Sequence, residues 1–294
     1  RVHLFSPGLR DAARWRLEVA TRLRDDAIHQ LVVHYQPIVR LDTGRVEGVE
    51  ALVRWRHPER GLLLPDSFLG VAEETGQVIP ITRWLLGETT RQAAGWAAQG
   101  LHLRMSVNIS ARHFATETLV RDVRQALRDS GLPPEQLVLE LTETSVAEDP
   151  TRAEDQLTVL RGMGVRVAID DFGTGWSSLA QLFALPIGTL KIDRSLLAAA
   201  ERAVAADTGA VLSAIVALTG TLGIRSTAEG VETPEHLAMV SAAGCDFAQG
   251  WLLGRPMPSA DVPAWVAGLE ARGLPRCPGL AGGAPAAGPL LHGG

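Results

Sequence analysis

The sequence predicts an α/β fold, a TIM-like (β/α)8 barrel whose first strand runs antiparallel to the others. Three observations carry this prediction. Helical and strand-like patterns alternate from about residue 65 to residue 272. The number of these units suits closure of a parallel sheet. The first two strand-like runs are joined by Asp42-Thr43-Gly44, a hairpin signal. An open doubly wound sheet is the alternative architecture, and no GxGxxG follows an early strand to support it. A chain of 294 residues, 46% of them hydrophobic, is long and apolar enough for one large domain of this kind.

The elements follow in order. In DAARWRLEVATRLRDDAIH, Trp15, Val19 and Leu23 fall at helical spacing amid mixed charge, so residues 1–28 read as an amphipathic connecting helix ahead of a barrel over residues 29–272. LVVHYQPIVRL and RVEGVEALVRW form the hairpin. Helices PDSFLGVAEETG and ITRWLLGETTRQAAGWAAQ lead to strand LRMSVNI, helix ETLVRDVRQALRDSG, strand LVLELTE, helix AEDQLTVLRGMG and strand VRVAID. A short helix near SSLAQLF, strand TLKID, helix AAAERAVAADTGAVLSAIVALTGTLG and strand IRSTAE come next. Helix PEHLAMVSAAG, strand CDFAQG and helix ADVPAWVAGLEAR complete the series. Residues 273–294, rich in Gly, Pro and Ala and without periodicity, are expected to be disordered.

Composition narrows the function. A net charge of −5 without a dense basic stripe argues against a polynucleotide partner. Cys245 and Cys277 form no CxxC, and the eight histidines show no zinc spacing. The longest apolar run is short for a membrane span and contains Ser, Thr and Gly. The expected location is therefore the cytoplasm, as a free protein or as the cytoplasmic part of a membrane-tethered one. The 28 basic residues include a single lysine, Lys191, and the chain has one asparagine, Asn108, and one tyrosine, Tyr35. Where arginine has replaced lysine almost everywhere, a surviving lysine points to a need for a compact ammonium.

In a parallel barrel the chemistry gathers at the C-terminal ends of strands. The polar residues at those ends are Glu50, Asn108, Glu140, Glu143, Asp170, Asp171, Lys191, Glu229, Glu232 and Gln249. So many carboxylates around one mouth repel one another unless cations neutralise them. Oxygen donors without His or Cys select hard ions, so Mg²⁺ or Mn²⁺ is expected, with Ca²⁺ competing. Adjacent aspartates suit a pair of ions about 4 Å apart. Taken singly, Asp170 and Asp171 read as a cap and a turn, Asn108-Ile109-Ser110 as a sequon, and Asp171-Phe172-Gly173 as a stray kinase tripeptide. The combined set favours a site.

At these residues the chain resembles the EAL domain family, phosphodiesterases that hydrolyse cyclic di-GMP to linear pGpG. The resemblance runs from about Leu31 to Pro258 through HYQPIV, Glu50-Ala51-Leu52 with VRW, AEETG, VNIS, ELTE, DDFGTGWSSL, LKIDRS, AEGVE and AQGWLLGRP. It implies that Glu50, Asn108, Glu140 and Asp170 bind one divalent ion and Asp170 and Asp171 a second, with Ca²⁺ inhibitory. It also implies catalytic roles for Glu50, Lys191 and Glu229, the last two positioning the attacking hydroxide. Gln36, Arg54 and Gln249 become substrate-binding or supporting positions. The Gly173–Ser178 segment, containing Ser177, resembles a loop that couples the metal site to a dimer interface, supported by Glu143 and Glu232. Trp176 stands where the family commonly has Tyr.

The resemblance further implies a homodimer and an upstream GGDEF or sensory module. Two other functions are weighed: a non-catalytic cyclic di-GMP receptor and, from barrel architecture alone, a metal-dependent lyase or isomerase.

Overall fold

The computed structural model describes residues 7–25, 27–173, 185–202 and 207–275. Its strands are β1 (Leu31–Arg40), β2 (Val46–His57), β3 (Gly61–Leu63), β4 (Arg104–Asn108), β5 (Leu137–Thr142), β6 (Arg166–Phe172), β7 (Thr189–Ile192), β8 (Arg225–Ala228), β9 (Phe247–Ala248) and β10 (Met257–Pro258). Strands β1, β2, β4, β5, β6, β7, β8 and β9 close into a ring, and β3 and β10 attach outside it. The expected hairpin is present: β1 pairs antiparallel with β2 and with β9, while the pairs from β2 and β4 round to β8 and β9 are parallel.

Helices cover the barrel where periodicity places them, among them Val78–Ala98, Leu119–Ser130, Pro150–Gly162, Pro234–Ala242 and Val262–Arg272. The long apolar helix expected before β8 is described as Arg194–Arg202 and Asp207–Thr221, with the join outside the described residues. The helix expected near SSLAQLF, Ser177 and residues 276–294 also lie outside them. Four short pieces carry too few residues to show a period: β3, β10 and the helices Ala111–Phe114 and Glu143–Ala147. Among the described residues no helix is long and apolar enough to cross a membrane.

Strand register sets which side chains face inward. Gln36 pairs with Glu50, Glu50 with Ser106, Asn108 with Glu140 and Lys191 with Thr227. Partners on neighbouring strands share a face, so this parity brings residues distant in sequence to one end of the barrel. The outward faces are apolar and pack under the helices. Tyr35, 2% exposed, meets Trp96 edge-on with ring centroids 5.0 Å apart.

At the end of β6 the expected turn is instead a bulge. The strand continues through Phe172, but its register against β7 shifts between Ile169 and Phe172. Asp171 sits there at φ 57°, the one non-glycine residue with positive φ among those described. Bulges re-aim side chains, and backbone strain of this kind clusters at functional sites. The amide N–H of Asp171 donates to Asp170 Oδ1 at 3.0 Å, a local bond that steadies the distortion.

The N-terminal helix Pro7–Asp25 docks on the barrel. Val19 and Leu23 are buried, Trp15 stacks on Trp55 at 6.5 Å, and Trp15 Nε1 donates to the Ser67 carbonyl at 3.1 Å. This buried stripe is the amphipathic face read from the sequence.

The loops after β8 and β9 are stitched backbone to backbone. The Val231 N–H donates to the Gln249 carbonyl at 3.0 Å, and the Leu252 N–H donates to the Val231 carbonyl at 3.1 Å. A Cβ on Gly250 would lie 2.1 Å from the Val231 oxygen, so only glycine admits this approach. Gly250→Ala is therefore expected to cost about 1–3 kcal/mol and to lower the melting temperature by several degrees. A thermal melt matching that of the unaltered chain would contradict the stitch.

Candidate functional site

Lys191 is the hub of the barrel mouth. Carried inward by β7 and 2% exposed, it places Nζ 2.7 Å from Glu140 Oε2 and 2.7 Å from Glu229 Oε1. Asp170 Oδ1 lies at 3.2 Å and Glu50 Oε2 at 3.5 Å. The four carboxylates come from β2, β5, β6 and the residue after β8, which only barrel closure brings together.

A second tier holds Glu50. Asn108 Nδ2 donates to Glu50 Oε1 at 2.6 Å, and Gln249 Nε2 donates to Glu50 Oε2 at 2.6 Å and to Gln36 Oε1 at 3.1 Å. Gln36 Nε2 in turn donates to the Gly254 carbonyl at 3.1 Å. Glu50 is thus fixed from both sides, and eight of the residues singled out in the sequence form one bonded network.

The remaining residues lie around it. Asp171 is exposed beside Asp170 on the bulge. Arg54 is buried four residues along β2 from Glu50 and donates to the Val53 carbonyl at 2.9 Å. Burial lowers its pKa, against the opposing pull of Glu50 and Asp66. Glu143 is buried in the first turn of helix Glu143–Ala147, whose N-cap Thr142 accepts from the Ser145 N–H. Glu232 is exposed on the rim of the cleft, its backbone N–H donating to His236 Nδ1 at 3.2 Å.

Electrostatics make this mouth able to hold a cation. Five carboxylates, those of Glu50, Glu140, Asp170, Asp171 and Glu229, face one ammonium. Burial works against the charge on Lys191, but Glu140, Glu229, Glu50 and Asp170 outweigh it and hold the lysine well above its usual range. Burial also works against the charge on Glu50, yet Lys191 and the amides of Gln249 and Asn108 bring it below the ordinary value. Glu140 is pushed well above it, by burial first and then by Glu50 and Asp170, in spite of Lys191. Burial lifts Glu229 to about 7, Lys191 resisting and Asp170 and Glu50 adding to the rise. Asp171 rises too, through burial and its neighbour Asp170.

A metal ion would supply the positive charge this arrangement lacks. Asp170, Asp171 and Glu229 each offer an oxygen, all within 4.8 Å of one another. A set of oxygens without His or Cys fits a hard cation.

Sequence reasoning missed Asp193, Arg194 and Trp251. They line the same cleft as Gln36, Glu50, Asp170, Glu229 and Gln249. Asp193 and Arg194 directly follow β7, so the strand-end rule that found Lys191 would have reached them one step further on. Trp251 carries Arg255 over its ring at 4.3 Å and is 53% exposed, which no periodicity signals.

The rise in Glu229 has a consequence for stability. The native state binds this proton up to about pH 7, whereas a free glutamate releases it near pH 4.3, so in this interval the folded chain holds more protons than the unfolded one. The Glu229 contribution to stability is then lost as pH rises through about 7. Added divalent cation should therefore raise the melting temperature more at about pH 8 than at about pH 5. Melts with chelator and with Mg²⁺ across this range check it, and a cation effect independent of pH would contradict it.

Comparison with known proteins places this geometry among relatives. The profile of the EAL domain matches residues 20–256. The bifunctional diguanylate cyclase/cyclic di-GMP phosphodiesterase MucR of Pseudomonas aeruginosa is 46% identical over 239 residues, which are 81% of this chain and 35% of the relative. The cyclic di-GMP phosphodiesterase NbdA of the same organism is 42% identical over 253 residues, 85% of this chain and 31% of the relative. This chain thus spans about a third of the length of these curated relatives. Among solved structures, the PaMucR phosphodiesterase in complex with c-di-GMP aligns with a TM-score of 0.79 at 44% identity, covering 83% of this chain and 99% of that one. The EAL enzyme Bd1971 bound to cAMP and cyclic di-GMP aligns with a TM-score of 0.80 at 28% identity, covering 89% of this chain and 70% of that one.

Proposed function

This chain belongs to the EAL domain family, and from that premise we propose that it hydrolyses cyclic di-GMP to linear pGpG with the help of two divalent cations, Mg²⁺ or Mn²⁺. The observation that supports the reading is the network of Glu50, Asn108, Glu140, Asp170, Lys191 and Glu229, which gathers four carboxylates and an amide around one ammonium.

Glu50, Asn108, Glu140 and Asp170 would hold one cation, and Asp170 with Asp171 the other. Such ions supply Lewis acidity, lowering the pKa of water and taking up charge on the phosphodiester. The protein supplies placement. Lys191 spaces the carboxylates, and its ammonium can donate to an oxygen of the reacting phosphate. Glu229, across Lys191 from Glu140, orients the attacking water. Gln36 and Gln249 fix the Glu50 carboxylate, and their contacts with each other and with the Gly254 carbonyl limit its rotation. Arg54, at the outer end of β2, offers a planar fork to a phosphate oxygen. Glu143 and Glu232 are the described positions to which the family resemblance gives a supporting role beside the aspartates. The docked helix Pro7–Asp25 is the element through which an upstream module would act on β2, since Trp15 packs directly on Trp55.

Incubation of the purified chain with cyclic di-GMP and Mg²⁺ or Mn²⁺, with separation of the nucleotides, tests the reading. Conversion to pGpG is expected, with Glu50→Ala slower by about 10²-fold or more and Ca²⁺ unable to sustain turnover. Cyclic di-GMP bound but left intact under both ions would overturn hydrolysis in favour of a receptor. An unbound nucleotide would overturn the substrate assignment.

A further inference from the structure

Beneath the carboxylates the barrel interior changes character. TIM-barrel interiors are filled by layers of bulky branched side chains. Here the next layer down contains Gly48, Ser106, Val138, Ala168, Thr189 and Thr227, all but Val138 small or hydroxyl-bearing, each inward by the same register parity that points Glu50, Glu140 and Lys191 into the barrel. These small residues leave a cavity of about 40 Å³, bounded also by Glu140 and Lys191 toward the site and by Glu47 and Arg104 toward the opposite mouth. No larger residue can close it from β2, because a Cβ on Gly48 would lie 2.6 Å from the Arg104 carbonyl oxygen.

Ion pairs border the floor. Glu47 pairs with Arg104 through one oxygen and with Arg40 Nη2 through the other at 2.9 Å. Between roof and floor the hydroxyls of Ser106, Thr189 and Thr227 line the cavity beside the apolar Ile38, Val138 and Phe247, and among the described residues none of the three has a hydrogen-bond partner. A hydroxyl that faces a cavity without a protein partner is satisfied by water, and three of them beside Glu140 and Lys191 give water polar contacts that a wholly apolar cavity lacks. At roughly 10–15 Å³ per water centre, this one has room for about three.

We propose that this chamber holds a cluster of ordered waters, bound by Ser106, Thr189 and Thr227, that supports Glu140 and Lys191 from below. The three hydroxyl residues are then positioning residues. They never touch substrate, and they act on the cation site through water against the inner side of Glu140 and Lys191. The chamber itself follows from packing alone. Its effect on the site deepens the phosphodiesterase reading and rests on the cation assignment made there.

The test compares the full chain with Thr227→Val, which keeps the shape and removes the hydroxyl, and with Thr227→Ser, which restores it. A crystal structure fine enough to show waters should contain at least two in the chamber of the unaltered chain and of Thr227→Ser, and fewer in Thr227→Val. Calorimetric titration with Mn²⁺ alone should give a dissociation constant about tenfold weaker for Thr227→Val, with Thr227→Ser near the unaltered value. A dry or collapsed chamber would overturn the proposal, and so would Mn²⁺ binding by Thr227→Val as tight as that of the unaltered chain. Should Thr227→Val not fold, Ser106→Ala carries the same comparison. Both readouts are independent of turnover, so a failure of the phosphodiesterase reading leaves them decisive.

Discussion

One buried ammonium among five carboxylates governs the architecture of this protein. Lys191 reaches Glu140, Glu229, Asp170 and Glu50 within 3.5 Å, in a mouth where most of the negative charge is buried. Buried ion clusters of this sort are poor sources of stability, because desolvation offsets the attraction between their members. Their value lies in what they are ready to bind. The surplus of negative charge stores a repulsion that a bound cation would relieve, and Lys191 keeps the oxygens apart and in place meanwhile.

Everything else in the fold serves that placement. Strand parity turns Glu50, Asn108, Glu140 and Lys191 inward, and the antiparallel β1 brings Gln36 opposite Glu50 so that Gln249 can bond both. The bulge in β6 lets two adjacent aspartates serve one mouth. In a regular strand Asp170 and Asp171 would point to opposite faces, and the shift in register with positive φ at Asp171 is what keeps both oxygens within reach of Glu229. The strain is local, and the Asp170 side chain accepting from the Asp171 N–H offsets part of it.

Much of this was legible in the sequence, for identifiable reasons. The barrel followed from alternating periods, and the hairpin from Asp42-Thr43-Gly44, because both signals are local. The network residues were legible because strand ends can be read one at a time, and closure then gathers them. Three features were not legible. A bulge depends on the neighbouring strand's register, which no single segment carries, so β6 was read as ending in a turn. Asp193, Arg194 and Trp251 enter the cleft through loop geometry rather than strand alternation. The small layer of Gly48, Ser106, Ala168, Thr189 and Thr227 appears only when residues from different strands are placed at one height. Each is unremarkable in its own segment.

The most direct measurement of the central claim is anomalous diffraction from crystals of this chain soaked in Mn²⁺. The account predicts two peaks, one among Glu50, Asn108, Glu140 and Asp170 and one beside Asp170 and Asp171, with Lys191 Nζ drawn away from at least one of its present carboxylate partners. A mouth that stays free of Mn²⁺ with Lys191 still bridging all four carboxylates would contradict it, for the lysine would then be the site's only counter-charge.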